Sequence, residues 1–430
     1  MMLKTLWYYW RAKKQWKFSD RQQLEQHQLK ELATFRRNIL TKSPYFSSYG
    51  NLPLAEFPLM NKSIMMENFD QMNTAGLKRD ELLECARLSE QSRDFKPMVG
   101  KFSVGLSSGT SGQRGIFVIS PKERSVWSGI MLAKMLPNGL FHGERVALFL
   151  RAGNNLYDSV QNRWISFRFF DLFADFNQQV QALEEYKPTI VVAPAQVLRA
   201  LALKIQQDEV SLSPTKVVSV AEVLEPQDRQ LLKSVFREVG EVYQATEGFL
   251  ACTCPHGTLH LNEEFLHIEP KWIDESRFNP IITDFTRESQ PIVRYQLDDI
   301  LVVKKTPCAC GNPALAIERI EGRSDDQLIL PAHSGENNNG ENISIFADPC
   351  SRIIANTLPL TSDYRLTQND LLLRLEGDCD VAILQQCQSA LADYFAKQGV
   401  DIDKIEWQCV SQTISPDLFN KRRRIIRKKG

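Results

Sequence analysis

Short apolar runs alternate with longer stretches of helical spacing through the middle of the chain. The runs Ile116–Ile119 (IFVI), Arg145–Leu150 (RVALFL), Arg168–Phe173, Thr189–Ala193 (TIVVA) and Lys216–Val220 (KVVSV) are rich in β-branched and aromatic residues. They predict strands. Between and after them, Lys122–Leu136, Tyr157–Trp164, Gln178–Tyr186, Gln196–Gln207 and Pro226–Val239 carry the spacing of helices. Strands alternating with helices predict a parallel sheet covered by helices, whose ligands bind beyond the carboxyl ends of the strands. Upstream, residues 1 to about 45 read as a helical extension, with Leu24, Leu29, Leu32, Phe35 and Ile39 set among Gln, Lys and Arg. Its aromatic start, Leu3 to Trp10, suits packing on the main domain or skimming a membrane surface, and packing is the expectation. Further helices are expected around Met65–Asn73 and Arg79–Glu90, between Pro53, Pro58 and Pro97.

Composition narrows the class. A chain of 430 residues, 43% apolar and 24% charged, suits a soluble protein of two or three domains. Lys+Arg and Asp+Glu are both 52, so no overall field points to nucleic acid. The basic tail Lys421 to Lys429 is a local patch that suits nucleic acid or the phosphates of a nucleotide carrier. Nine cysteines, an odd number, do not read as a disulfide framework. No apolar run approaches the roughly 20 residues of a membrane span, and the start lacks a signal-peptide pattern. A reduced, cytoplasmic setting is the expectation.

Three loops carry candidate chemistry. In Ser103–Gly115 (SVGLSSGTSGQRG), a strand leads into small hydroxyls and glycines, ends in Arg114, and is followed by another strand. Glycines permit close backbone approach, and amide groups, hydroxyls and an arginine together suit a polyphosphate. The spacing is not that of a Walker A loop, and a serine-glycine surface turn would look similar. In Tyr243-Gln244-Ala245-Thr246-Glu247-Gly248 an aromatic face, a hydroxyl and a carboxylate fall within five residues. They suit base stacking and a Mg²⁺ ion on phosphates, or simply a strand end with a helix cap. In Pro291–Ile300, Asp299 suits the two hydroxyls of a ribose, or a turn.

Order and spacing turn these loops into a resemblance. SSGTSG, YQATEG, ITDFTRESQPIVRYQLDDI and IEGRSDDQLIL, spread from Ser107 to Leu330, resemble the adenylate-forming superfamily of acyl- and aryl-CoA ligases. Within it the chain is similar to the phenylacetate-CoA ligase branch. Proteins related to the deazaflavin-adenylylating coenzyme F synthetase of methanogens look nearer still. The likeness runs from about residue 45 to the C-terminus.

The resemblance implies an α/β fold. Its large N-terminal domain (1–322) has mostly parallel sheets flanked by helices, and its small mobile α+β C-terminal lid domain (323–430) turns on a hinge at Asp325. It implies that Ser107, Ser108, Gly109, Thr110, Ser111, Gly112 and Arg114 bind the β- and γ-phosphates of ATP. Tyr243 would stack on adenine, with Ala221 and Glu222 on the opposite wall. Glu247 would hold Mg²⁺ with help from Thr246, Asp299 would bind ribose, and Arg323 would contact ribose or phosphate. Lys421 would be the cation at the reacting carboxylate. The chain departs from the family pattern in several places. Asn420 and Asp298 replace usual glycines, and Arg114 is left to supply the loop's charge alone. A polar loop, Pro331–Asn342, replaces a glycine-bearing strand. The implied activity is ATP-dependent adenylation of a carboxylate with pyrophosphate release, then transfer to a thiol such as CoA. The alternatives are transfer of AMP to a hydroxyl-bearing cofactor, or a relative that binds nucleotide without turnover.

A second signal is a pair of knuckle-like clusters, Cys252-Thr253-Cys254-Pro255-His256 with His260, and Cys308-Ala309-Cys310. In a reduced chain they suit a tetrahedral structural Zn²⁺. Cys254, His260, Cys308 and Cys310 are the preferred set, Cys252 and His256 the substitutes, and reduced core thiols the alternative. Cys350, Cys379, Cys387 and Cys409 are scattered and read as ordinary core residues. For the acyl group, Arg151–Tyr157, Trp164, Phe167 and Ala193-Pro194-Ala195 are candidate lining or plain core.

Overall fold

The computed structural model describes residues 2–14, 17–50, 52–92, 97–107, 114–136, 138–150, 164–323, 327–333, 342–415, 417–418 and 420–428. Five strands form the parallel half of a large sheet: Ile165–Asp171, Glu144–Leu150, Ile190–Ala193, Lys216–Ser219 and Val239–Ala245, in that spatial order. Alternate residues of a strand face opposite ways, and here the two faces bury different partners. Ala147, Phe149, Val191 and Val217 pack with helices Phe176–Tyr186, Ala195–Gln206 and Pro226–Val235. Val146, Leu148, Ile190 and Val218 turn to the other face, toward helix Pro121–Met135.

After Val239–Ala245 the sheet becomes antiparallel. It continues through Gly248–Thr253, Leu259–Leu261, Ala316–Arg323, Asp299–Val303, Arg277–Asp284 and Leu266–Trp272, with Ile292–Gln296 pairing on Arg277–Asp284. The expectation of mostly parallel sheets is therefore corrected to one 12-stranded mixed sheet and smaller antiparallel and mixed ones. The cause is connection length: Thr246-Glu247 joins two strands directly, and a turn so short only permits antiparallel pairing. The helix expected over Pro226–Val239 stops at Val235. Phe236 is already extended (φ −108°, ψ 143°), and Val239 opens the next strand, so its four-residue spacing from Val235 imitated a helix.

A three-stranded antiparallel sheet, Met98–Val99, Phe102–Leu106 and Ile116–Ile119, carries the glycine-serine loop between Leu106 and Ile116, which pair directly. The C-terminal α+β region has its own core. A hairpin (Gln327–Leu330, Ile343–Phe346) and a four-stranded sheet pack with helices Ala347–Thr357 and Val381–Lys397 around Leu366, Leu375, Leu384 and Phe395. Cys350 and Cys387 are buried here, Cys379 and Cys409 half-buried. The expected helix Tyr157–Trp164 lies, but for Trp164, outside the described residues. Among the described residues no helix is long and apolar enough to cross a membrane.

The N-terminal extension packs on the main body, as expected. Helix Met2–Lys14 lies on Pro121–Met135 so closely that a methyl group on Gly129 would sit 2.7 Å from the Thr5 carbonyl and from Tyr8 Cβ. In the next helix, Arg21–Asn38, Arg21 grips Glu263 with two hydrogen bonds of 2.6 and 2.9 Å.

The C-terminal region is fastened by buried charge. Arg424 reaches Glu225 (2.7 Å), Asp228 (3.0 Å) and Asp363 (2.7 Å). Arg422 and Arg199 also pair with Asp228, and Arg199 donates to the carbonyls of Thr361 and Ser362 at 2.8 and 2.7 Å. Burial alone would raise the Asp228 carboxyl, but the attraction of Arg422, Arg424 and Arg199 outweighs it and holds the group well below the usual carboxylate range.

Two outcomes follow from this packing. Gly129→Leu should lower stability by about 1–3 kcal/mol through overpacking and speed tryptic cleavage between the first two helices; an unchanged melting temperature and cleavage rate would refute the close contact. Asp228→Asn leaves three arginines facing too little charge and should cost about 3–5 kcal/mol at pH 7. Because the folded-state pKa is depressed, that contribution is present above the ordinary value of 3.8 and is lost as pH falls below it. The gap between wild type and variant in urea titrations should therefore narrow toward pH 3. A gap independent of pH would refute the charge assignment.

Candidate active site

The last parallel strand, Val239–Ala245, ends in a two-residue tip, Thr246-Glu247, before Gly248–Thr253 returns, with Ala245 paired to Gly248. This tip projects at the carboxyl edge of the parallel strands, where ligands of such sheets bind. The Arg287 guanidinium holds it by donating to the carbonyls of Thr246 (3.3 Å) and Glu247 (3.4 Å). Burial pushes the Glu247 carboxyl up, and a hydrogen bond with Tyr295 and the charges of Lys62 and Arg287 offset this only in part. The Glu247 carboxylate and the neighbouring Thr246 hydroxyl are an oxygen donor pair that would suit a divalent ion.

On the same strand, the Tyr243 hydroxyl donates to Asp299 Oδ2 at 2.7 Å. Two residues expected to share a nucleoside are thus in direct contact. Asp299 opens its strand directly opposite Arg323 in the ladder, so the backbone brings those two positions together as well. Ala221, expected on the facing wall, takes the left-handed conformation (φ +64°) and borders the large apolar cavity below. Glu222 behaves differently. Its carboxylate accepts from Gln196 Nε2 (2.8 Å) and from the Arg422 amide (3.2 Å), while Gln196 also donates to the Asn420 carbonyl (2.9 Å). These bonds flank Lys421 on both sides and hold its backbone beside Ala221-Glu222, with the side chain exposed. Glu222 also faces a polar cleft of about 550 Å³, which runs between helix Pro226–Val235, strand Ala316–Arg323 and the tail Arg422–Ile425.

Of the glycine-serine loop, Ser108, Gly109, Thr110, Ser111 and Gly112 lie outside the described residues, as does Asp325. Its base is built by Ser107, whose amide donates to Gly115 O and whose Oγ accepts from the Gly115 amide, both at 2.8 Å. Arg114 does not stand as a lone cation. Glu90 takes its guanidinium in two bonds of 2.6 and 2.5 Å, and its Nε donates to Ser107 O. A second cation is present that sequence reasoning did not assign. A methyl group on Gly115 would lie 3.5 Å from Lys62 Cγ, so the Lys62 stem runs along the loop's base, and its charge is felt at Glu247. Lys62 opens a helix capped by Asn61, whose Oδ1 accepts from the Ile64 amide.

Behind the tip lies an apolar cavity of about 430 Å³ between helix Pro121–Met135 and the parallel strands. Phe167 lines it, as expected of the acyl pocket. Trp164 is instead partly exposed at the surface, edge-on to Phe141, and Ala193 and Ala195 are buried in the opposite core. Residues 151–157 lie outside the described residues. At the mouth, Glu123 accepts from the Ser289 amide (2.9 Å), Ser289 Oγ (2.6 Å) and the Glu288 amide (2.8 Å). Burial raises Asp284 to about 6 although Thr286 donates to it twice.

The four preferred metal ligands converge. Donor atoms of Cys254, His260, Cys308 and Cys310 all lie within 4.8 Å of one another. Turns through Gly257 and Gly311, both left-handed (φ +74° and +72°), shape the two knuckles. Cys254 Sγ is 3.7 Å from Cys308 Sγ, and Cys310 Sγ is 3.3 Å from His260 Nε2. Zinc–sulfur bonds of about 2.3 Å at tetrahedral angles give edges of about 3.8 Å, close to the Cys254–Cys308 separation, so the donor set suits that ion. His260 Nδ1 lies 3.2 Å from the Ala314 carbonyl, a bond that leaves Nε2 free as an acceptor. The substitutes fall away: Cys252 is buried beside Asn262, and His256 is exposed.

No family model matches the chain. It is similar to the phenylacetate-coenzyme A ligase of Thermus thermophilus, 22% identical over 171 residues. That match spans 36% of this chain and 38% of the length of that relative. Among solved structures it is similar to 2-hydroxyisobutyryl-CoA ligase in the postadenylation state with 2-HIB-AMP. The TM-score is 0.63 at 14% identity, over 96% of this chain and 91% of that one. It is also similar to the amide bond synthetase McbA from Marinactinospora thermotolerans, with a TM-score of 0.52 at 12% identity, over 74% and 67% of the two chains. The α/β fold, with its large mixed sheet and C-terminal α+β region, is the fold of these adenylate-forming ligases.

Proposed function

We propose that this chain is an adenylate-forming ligase that joins a carboxylic acid to AMP, releases pyrophosphate, and passes the acyl group to a thiol such as CoA. The observation that carries the reading is that one strand, Val239–Ala245, brings Tyr243 onto Asp299 and leads into the Thr246-Glu247 tip, whose Thr246 borders an apolar cavity. The phenylacetate-coenzyme A ligase and 2-hydroxyisobutyryl-CoA ligase likenesses support it. A carboxylate oxygen attacks the α-phosphorus of ATP, a P–O bond forms, and the bond to pyrophosphate breaks. Both reactants are anions, so the protein's part is positioning and charge neutralisation. Tyr243 and Asp299 orient adenine and ribose, while Arg323 contacts ribose or phosphate. Ser107 to Gly112 with Arg114 and Lys62 cradle the leaving phosphates, and Lys421 faces the reacting carboxylate. Glu247 and Thr246 would hold Mg²⁺, which when bound would supply further neutralisation of the phosphates. In the second step the thiolate attacks the acyl carbon and AMP leaves.

Residues 323–430 act in this reading as a mobile domain hinged at Asp325, with the boundary near 322. The Cys254, His260, Cys308 and Cys310 cluster holds a structural Zn²⁺, since four protein ligands leave no open position. Its thiols suit a reducing cytoplasm. The buried Arg199–Asp228–Arg424 cluster favours a second reading for the acceptor. Moving the C-terminal region would dismantle it, so transfer of the acyl group to an amine, or of AMP to a hydroxyl-bearing cofactor, without that movement is the alternative to CoA. The likeness to an amide bond synthetase is compatible with this.

Pyrophosphate release from Mg-ATP with a panel of acids tests the first step, and release of AMP on adding CoA tests the acceptor. Glu247→Gln should lower pyrophosphate release about 100-fold or more with an unchanged melting temperature; wild-type turnover would sink the metal-binding role. Elemental analysis should find one equivalent of zinc in the wild type and none in a Cys308→Ser/Cys310→Ser variant. Equal zinc in both would remove the cluster.

A further inference from the structure

We propose that the acid handled at this site carries an extended apolar tail about ten carbon atoms long. The inference rests on the adenylation reading for what happens to its carboxylate, but on the cavity alone for the tail.

The cavity is a shaft whose length two elements measure independently. Val146, Leu148 and Leu150 of one strand all line it, as alternate residues on one face must. Four residues of strand advance about 13 Å. On the facing helix, Trp127, Met131 and Met135 line it at four-residue intervals, and eight residues of helix advance about 12 Å. Its mouth is at the carboxyl ends of the strands, where Ala221 and Thr246 border it. Its far end lies at Val146, Met135 and Ile190, near the amino ends. A chain of carbons about 1.5 Å apart, staggered, covers that length with about ten atoms. A single aromatic ring would fill roughly half of it, and the unfilled remainder would forfeit its packing contacts.

Polarity is confined to one end. Apart from the Trp127 indole, the polar side chains among the described lining residues are Glu123, Gln244, Thr246, Asp284, Thr286 and Arg287. All belong to the segments around the Thr246-Glu247 tip. Glu123 and Asp284 already accept hydrogen bonds from Ser289 and Thr286. Along the shaft itself aliphatic, aromatic and methionine side chains remain, so a hydroxyl or amino group carried deep on the tail would be buried without a partner. Met131 and Met135, flexible thioethers, can adapt their packing to such a tail.

Straight-chain saturated acids from four to fourteen carbons, with phenylacetate as the compact aryl control, test this in two readouts. Calorimetric binding without ATP should tighten about fourfold for each added methylene up to about ten carbons, then level off. Pyrophosphate release with Mg-ATP should follow the same order in KM. Val146→Phe, at the far end, should shorten the preferred chain by two or more carbons. Met135→Phe blocks the same end from the helix should the first variant fold poorly. Binding that ignores chain length, or favours phenylacetate over decanoate, overturns the proposal. Chain-length-dependent binding without pyrophosphate release from any acid supports the tail assignment and overturns the adenylation reading instead.

Discussion

The pleat of the parallel strands is the constraint on which the rest depends. Because neighbouring side chains point to opposite faces, each strand serves two environments at once. Ala147 and Phe149 close the core under three helices, while Val146, Leu148 and Leu150 face helix Pro121–Met135 across a cavity. A slip of one residue would exchange the two sets. The same strands run in one direction, so their carboxyl ends form a common edge. There the sheet changes from helical crossovers to a tight turn, and Thr246-Glu247 is left projecting at the mouth of the cavity.

That edge is electrostatically unfinished. Burial raises both Glu247 and Asp284, whereas the buried carboxylate at Asp228, with three arginines around it, is depressed. The contrast separates two uses of buried charge. Around Asp228 cations and anions are matched and the network fastens two parts of the fold. Around Glu247 the nearest cations, Lys62 and Arg287, leave it undercompensated. A buried carboxylate left so gains from any cation brought beside it, because the local dielectric is low.

How much was legible in the sequence depended on whether a signal was local. The parallel strands and their helices could be read because hydrophobic period is a property of consecutive residues, and Val239 was misplaced because one spacing fits both periods. The Cys254, His260, Cys308 and Cys310 set was legible because each knuckle is short and chemically distinctive. The antiparallel half was not, since no helical crossovers announce it. Pairings across long separations leave no trace along the chain: Glu90 on Arg114, Arg21 on Glu263, and Glu123 on the Glu288-Ser289 amides all had to be seen in three dimensions. Lys62 and Arg287 were missed for the same reason. Arg287 lay within a motif stretch, but its role depends on carbonyls about 40 residues away.

The tail shows how such distant pairings bear on chemistry. Lys421 lies in an irregular segment, where a long side chain would ordinarily sample many positions at an entropic cost to any single one. Here the backbone on either side is bonded to Gln196 and Glu222, and Arg422 and Arg424 are drawn into the cluster at Asp228. The ordering cost of the backbone there is thus met by neighbouring groups. The same bonds impose a limit. To leave its place, Lys421 must take Arg422 and Arg424 with it and expose Asp228 to one remaining arginine, Arg199. The placing of the Lys421 backbone beside Ala221-Glu222 and the resistance to moving the C-terminal region therefore have one physical origin. Weakening the cluster would free the region only by loosening Lys421.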